Sequence, residues 1–229
     1  MTQKAFREAI GQKAIRLKVG GFRPVDKPQA SWFGKVLLAG VDEQWPMSNG
    51  KPMRAICQIN LQEFPVKPES VQDLAFITLF IDADEIPNPT DKNGMSWCLR
   101  TYPSLDELVP LTQANATSGP GIKPLQMIPE VIEIDYPMLE DCPVPIPSWL
   151  NDDEYPERYR TVDGIKFGGW PTLIQGEIVW EANAQMQPQF AFQIDSVEKA
   201  RWWWGDNGVA YFGRCLENTD EWSFSWQCF

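Results

Sequence analysis

The apolar positions of this chain change their period once, near residue 20. Phe6, Ala9, Ile10, Ala14 and Leu17 fall on one face at i, i+3, i+4, i+8 and i+11, which predicts a helix over 3–18. Thr2 is its N-cap, and Gly20-Gly21 followed by Pro24 ends it. From there the pattern is that of strands. Lys35 to Ala39 is a short apolar run closed by Gly40, and Arg54 to Asn60 partly alternates. Leu74 to Ile81 is a continuous run of β-branched and aromatic residues, the mark of a strand buried on both faces. Met95 to Thr101 follows the turn Asp91-Lys92-Asn93-Gly94, so it pairs antiparallel with 74–81. Near the C-terminus, 172–175, 177–181, 189–194, 209–216 and 222–228 read as strands, with Asp206-Asn207-Gly208 as a tight turn.

Between these regions lies a different segment. Ten of the twenty prolines fall within 103–160, which reads as a connection draped over the core. Thr117-Ser118-Gly119-Pro120-Gly121 is a loop by composition, and Ser104 to Val109 opens a short helix with Glu107 completing a capping box. Val131 to Tyr136 is a strand, and Asn151-Asp152-Asp153-Glu154 an acidic loop.

The two ends of the chain resemble each other. Gly20-Gly21-Phe22-Arg23-Pro24 matches Gly168-Gly169-Trp170-Pro171, and Gln58-Ile59-Asn60 matches Gln193-Ile194-Asp195. Leu74-Ala75-Phe76-Ile77 follows the first glutamine at the spacing with which Val209-Ala210-Tyr211-Phe212 follows the second, and Ser96-Trp97-Cys98 echoes Trp226-Gln227-Cys228. The expected fold is mainly β with minor α: duplicated antiparallel β-roll or sandwich-like units at about 20–102 and 166–229, an N-terminal helix at 3–18 and a Pro-rich connection at 103–160. Gly20, Gly21, Gln58, Asn60, Gly168, Gly169, Trp170, Gln193 and Asp195 are read as structural repeat residues, with side-chain amides binding loop backbone.

These residues, with Trp45-Pro46, Ile174-Gln175 and Trp204-Gly205-Asp206-Asn207-Gly208, resemble the YwqG-like family, a bacterial family of unknown function. The resemblance covers about 20–228 and implies a single domain over 1–229, mainly β and roll-like with a duplicated core. It implies no activity and carries over no catalytic residue. Two departures stand out: Phe22-Arg23-Pro24 adds a residue to the first turn, and Asp163-Gly164-Ile165-Lys166 lacks the histidine that family members often carry before the second Gly-Gly.

Composition narrows the chemistry. The chain has 229 residues and no histidine, which excludes imidazole-based nucleophilic catalysis and histidine metal ligands. Its five cysteines are scattered without a C-x-x-C pair, so they read as free thiols of a cytoplasmic protein. No export signal or membrane span is expected: the run 74–81 is too short to cross a bilayer. The formal charge of −11 divides into +5 over residues 1–28 and −16 over the rest. Such a body repels phosphate backbones, so duplex nucleic acid is not an expected partner.

Three sets of residues are candidates for function. Trp202, Trp203 and Trp204, with Asp206 and Asn207, form a stacking platform for a sugar or base, or else core packing between the units. Asp82, Asp84 and Glu85 supply hard oxygen ligands for Ca²⁺ or Mg²⁺, or else a solvated acidic loop; no metal is assigned and no cofactor is expected. The acidic surface suits a protein partner with a basic face, and the leading expectation is a non-enzymatic, immunity- or inhibitor-like binding protein. The alternative is binding or hydrolysis of a small molecule or carbohydrate in a groove between the units, with Asp82, Asp84 or Asp206 as acids.

Overall fold

A computed structural model describes residues 1–112 and 121–229, so residues 117–120 of the expected Ser-Gly-Pro loop lie outside the described residues. The chain is mainly β. In chain order the elements are α1 (Gln3–Ile10), β1 (Gln12–Val19), β2 (Trp32–Phe33), β3 (Leu38–Gly40), β4 (Met47–Ser48), β5 (Lys51–Pro52), β6 (Arg54–Asn60), β7 (Phe76–Ile81), β8 (Trp97–Tyr102), β9 (Leu108–Pro110), β10 (Leu125–Asp135), α2 (Tyr155–Arg158), β11 (Ile165–Gly168), β12 (Pro188–Asp195), β13 (Val209–Cys215) and β14 (Trp222–Gln227). One ten-stranded sheet runs β14-β13-β12-β11-β1-β10-β2-β6-β7-β8; β3–β9 and β4–β5 are small ribbons.

The expected helix over 3–18 is half helix and half strand. Gly11 ends α1 with extended backbone and gives its N–H to the Arg7 carbonyl. A Cβ there would lie 2.8 Å from both Arg7 O and Ile134, so the close approach of α1 to β10 requires glycine. Ile15, Leu17 and Val19 then alternate into the core. Leu17 satisfies both periods, and the sheet decides between them: β1 pairs antiparallel with β10 on one side and β11 on the other.

The Pro-rich segment is also more than a connection. It supplies β9 and the eleven-residue β10, a central strand. Pro129 is tolerated in β10 because β2 meets that strand only at Leu125 and Gln126, leaving the proline without a neighbour on that side. Ser104 does not open a helix; its hydroxyl accepts the Asp106 N–H in a turn before β9. The expected strands at 172–175 and 177–181 are irregular, because their backbone is taken up by glutamine side chains. Gln193 Oε1 accepts the Thr172 N–H, and Gln227 Oε1 accepts those of Ile174 and Gln175. Gln58 Oε1 pins Leu37 in the same way at the other end of the sheet.

The antiparallel pairing of 74–81 with the strand after Asn93-Gly94 is present as β7–β8. β7 is buried on both faces: Ile77, Leu79 and Ile81 enter the main core, and Phe80 packs under Val36, Ala39 and Met53 of the covering segment. β13 divides likewise, with Ala210 and Phe212 inward and Val209 and Tyr211 under Leu173.

The sheet curls until its two ends meet. Trp97 of β8 lies 6.1 Å, between ring centroids, from Phe212 of β13 and 5.7 Å from Phe224 of β14. Phe167, Phe192 and Phe212 stack across β11, β12 and β13 at 4.7 and 4.5 Å. Trp202 and Trp204 join this core at 6% and 0% exposure, while Trp203 is 42% exposed. Trp203 is set apart from the other two, and the place that Trp202 and Trp204 occupy is the interior. They therefore cannot serve as a stacking platform. Trp204→Ala is expected to lose about 3–5 kcal/mol in urea unfolding, and Trp203→Ala less than about 1 kcal/mol.

Candidate functional site

The second Gly-Gly turn organises one end of the sheet. Gly168 and Gly169 both have left-handed backbone, at φ +66° and +65°. This delivers the Trp170 N–H to Asp135 Oδ2 at 2.8 Å, and a Cβ on Gly169 would collide with that carboxylate. Asp135 ends β10 and also accepts the Val162 N–H at 2.7 Å and the Lys166 ammonium at 2.8 Å. Lys166 donates further to the Val162 carbonyl. Both side chains of this ion pair are fully enclosed, so neither reaches a bound molecule. Burial pushes the Lys166 ammonium below its usual range, with Asp135 opposing.

Gln193 extends the network. Its Nε2 donates to the Gly164 carbonyl, the Thr172 hydroxyl and Asp195 Oδ1, the last at 2.7 Å. Asp195 Oδ2 accepts the Gly164 N–H at 2.7 Å. Burial raises the Asp195 carboxyl to about 6, against the opposing bonds from Gly164 and Gln193. The whole network ties Thr172 and the strand entering at Ile165 to β10 and β12.

On the far side of Thr172 lies a groove of about 720 Å³, a size that suits a ligand. Met138, Leu139, Tyr155, Tyr159 and Leu173 give it apolar walls. Tyr155 and Tyr159 belong to the small core formed by α1, Tyr136, Leu150 and α2. Glu140, Asp152 and Glu157 also line it, with Arg160 as the one cation among the lining residues. Asp141, next to Glu140, is raised by burial and then by the charges of Glu140 and Glu177. Glu140, Asp141, Asp152, Glu157 and Glu177 make no ion pair among the described residues.

The structure disperses the other residues singled out from the sequence. Gly20 and Gly21 turn the chain after β1, with φ of +58° and +84°. Asn60 caps the turn at Leu61 through its side chain. Asp206 and Asn207 stand exposed in the turn before β13, where the Asp206 carbonyl accepts the Phe229 N–H. Asp82 Oδ1 accepts the backbone N–H groups of Asp84 and Glu85, and Oδ2 binds Asn49. Asp84 pairs with Lys51 at 2.7 Å. Burial opposes the charge on Asp82, but these bonds and the Ser48 hydroxyl hold its carboxyl below the usual range. The loop is thus an Asx turn. Among the described residues, no three Cys, Asp or Glu side chains converge as a metal set.

Sequence reasoning noticed the acidic loop 151–154 but missed the groove and the Lys166–Asp135 pair. The available signal for the pair was a lysine between Ile165 and Phe167 directly before Gly168-Gly169.

Fold and site together define an antiparallel β protein with a structural ion pair under an acidic, tyrosine-walled groove. The chain belongs to the family described as domain of unknown function (DUF1963), whose model matches residues 37–228. No curated protein matches it. No helix among the described residues is long and apolar enough to cross a membrane.

Two measurements check the network. Lys166→Met leaves Asp135 buried without its counter-charge and is expected to cost about 3–5 kcal/mol in denaturant unfolding. Because the folded Asp195 carboxyl binds its proton more tightly than the unfolded one, its contribution is fully present below about pH 4. It is lost as pH rises to about 6. Asp195→Asn is expected to remove this decline, about 2 kcal/mol, from the stability-versus-pH curve between those limits.

Proposed function

We propose that the protein is a non-enzymatic binding protein of the YwqG-like group, acting in a bacterial cytoplasm and inhibitor- or immunity-like in that its acidic exterior takes a protein partner with a basic face. The observation that carries this reading is where the positive charge of residues 1–28 goes. Lys4 lies 3.8 Å from Glu8, Lys13 3.2 Å from Glu133 and Arg16 2.8 Å from Glu130, so three cations of this arm are taken up by carboxylates of α1 and β10. The carboxylates around the groove have no such partners among the described residues, and an outside cation supplies what the chain does not.

The matched amide pins support a further part of the reading, that the two ends of the sheet descend from one duplicated unit. Gln58 holds Leu37 beside β2, and Gln193 holds Thr172 beside β11. In the strand order, β2-β6-β7-β8 on one side mirrors β11-β12-β13-β14 on the other. On this alignment the partner of Gly168 is Gly34 after β2, at φ +72°, rather than Gly20.

Affinity capture with the full chain, identification of the retained protein and reconstitution from purified components test the proposal. The reconstituted complex is expected to weaken at least about tenfold between about 0.05 M and 0.5 M salt, as exposed charge pairs become screened. No retained partner, or affinity indifferent to salt, overturns it.

A further inference from the structure

The chain holds three Asn-Gly pairs, at 49–50, 93–94 and 207–208. Such a pair can react with itself. The glycine nitrogen attacks the asparagine side-chain carbonyl and closes a cyclic imide, and glycine has no side chain to obstruct the approach. The attack needs that N–H free of other bonds and a backbone able to turn towards the side chain. The fold withholds both at two of the pairs. Gly94 gives its N–H to the Trp97 carbonyl, and both ends of the Asn93 amide are held by Leu99 backbone at 2.8 Å. Gly208 gives its N–H to the Trp204 carbonyl and is buried, packed so that an added Cβ would collide with the carbonyls of Trp204 and Gln227. Asn49-Gly50 is different. It is the two-residue loop of the β4–β5 ribbon, with φ of +50° and +74°, as in a type I′ turn. Both residues are exposed, and nothing lies within 4 Å of a Cβ placed on Gly50. Among the described residues the Gly50 N–H makes no hydrogen bond. Asn49 Nδ2 donates to Asp82 Oδ2 at 3.3 Å, and the Ser48 hydroxyl bonds the same carboxylate, so this loop fastens the ribbon to the Asp82 turn.

We propose that Asn49 is a site of spontaneous deamidation, and that its conversion unfastens the β4–β5 ribbon from the Asp82 turn. The Gly50 nitrogen gives its proton to water or hydroxide and bonds to Asn49 Cγ. The Cγ–Nδ2 bond then breaks, and Nδ2 takes up a proton and leaves as ammonia. Water opens the imide at one of its two carbonyls. Attack at Cγ gives aspartate, and attack at the main-chain carbonyl gives isoaspartate, in which the chain runs through Cγ. No oxidant, metal or enzyme is required. Either product replaces the amide that donated to Asp82 with a carboxylate. Asp82 already accepts the N–H groups of Asp84 and Glu85, which hold its charge in place, so the new charge repels it. Isoaspartate also lengthens the loop by one backbone atom. That extra atom disturbs the register of Met47 with Pro52 and of Ser48 with Lys51.

The test is peptide mapping by mass spectrometry after the full chain is incubated in mildly alkaline buffer, once folded and once in concentrated urea. In the folded chain Asn49 is expected to convert at least about tenfold faster than Asn93 or Asn207, because only its glycine N–H is free to attack. In urea the three rates are expected to agree within about threefold, because unfolding removes what distinguishes the pairs. Asn49→Asp reproduces the new charge without the extra backbone atom. In that variant, hydrogen exchange of the Asp84 and Glu85 amides is expected to quicken at least about threefold, with the exchange of β7 and β13 unchanged. Conversion of Asn49 in the folded chain that is absent, or no faster than at the other two pairs, overturns the site. A preference for Asn49 that persists in urea overturns the fold as its cause. Unchanged exchange at Asp84 and Glu85 in Asn49→Asp overturns the unfastening.

Discussion

The contact between the two ends of the sheet is the constraint on which the rest depends. Trp97 stands near one edge of the strand order and Phe224 at the other, yet their rings pack together. A ten-stranded antiparallel sheet achieves this only by twisting and curling on itself. The interior so formed is filled by aromatic rings, with the stack of Phe167, Phe192 and Phe212 running across three neighbouring strands. The ion pair of Arg214 with Asp73 links the same two regions at the surface, Asp73 lying just before β7 and Arg214 on β13.

Curling leaves an outer face on each end of the sheet, and both are covered by irregular chain. Such segments expose backbone donors and acceptors that no strand satisfies. Glutamines on the sheet supply the missing partners, Gln58 at one end and Gln193 with Gln227 at the other. This explains why apolar stretches such as 172–175 do not become strands. Their bonds are already made to side chains, and the prolines and glycines among them discourage a ladder.

The groove is a consequence of how the central strand ends. β10 stops at Asp135, where the carboxylate collects the Lys166 ammonium and two backbone N–H groups. The chain then leaves the sheet, builds the tyrosine cluster around α2 and returns at β11. The cleft between this excursion and Thr172 is walled by rigid packing on one side and by a saturated hydrogen-bond network on the other. Among the described residues, the acids Glu140, Asp152 and Glu157 that line it make no ion pair.

The class of fold, the doubly buried character of 74–81 and the turn at Asn93-Gly94 were legible in the chain's local pattern, because these depend on local period and on backbone freedom at single residues. Three matters were settled only in three dimensions. Residues 12–19 carry a pattern compatible with helix and strand, and pairing with β10 and β11 made them strand. Val131 to Tyr136 read as an isolated strand in a Pro-rich connection, and the sheet placed it at the centre. Lys166 and Asp135 lie 31 residues apart, and no local pattern announces that they will meet. Periodicity reports which face of an element is apolar. Which elements then face each other is fixed by strand order and curl, and with it the position of every buried charge and the groove above them.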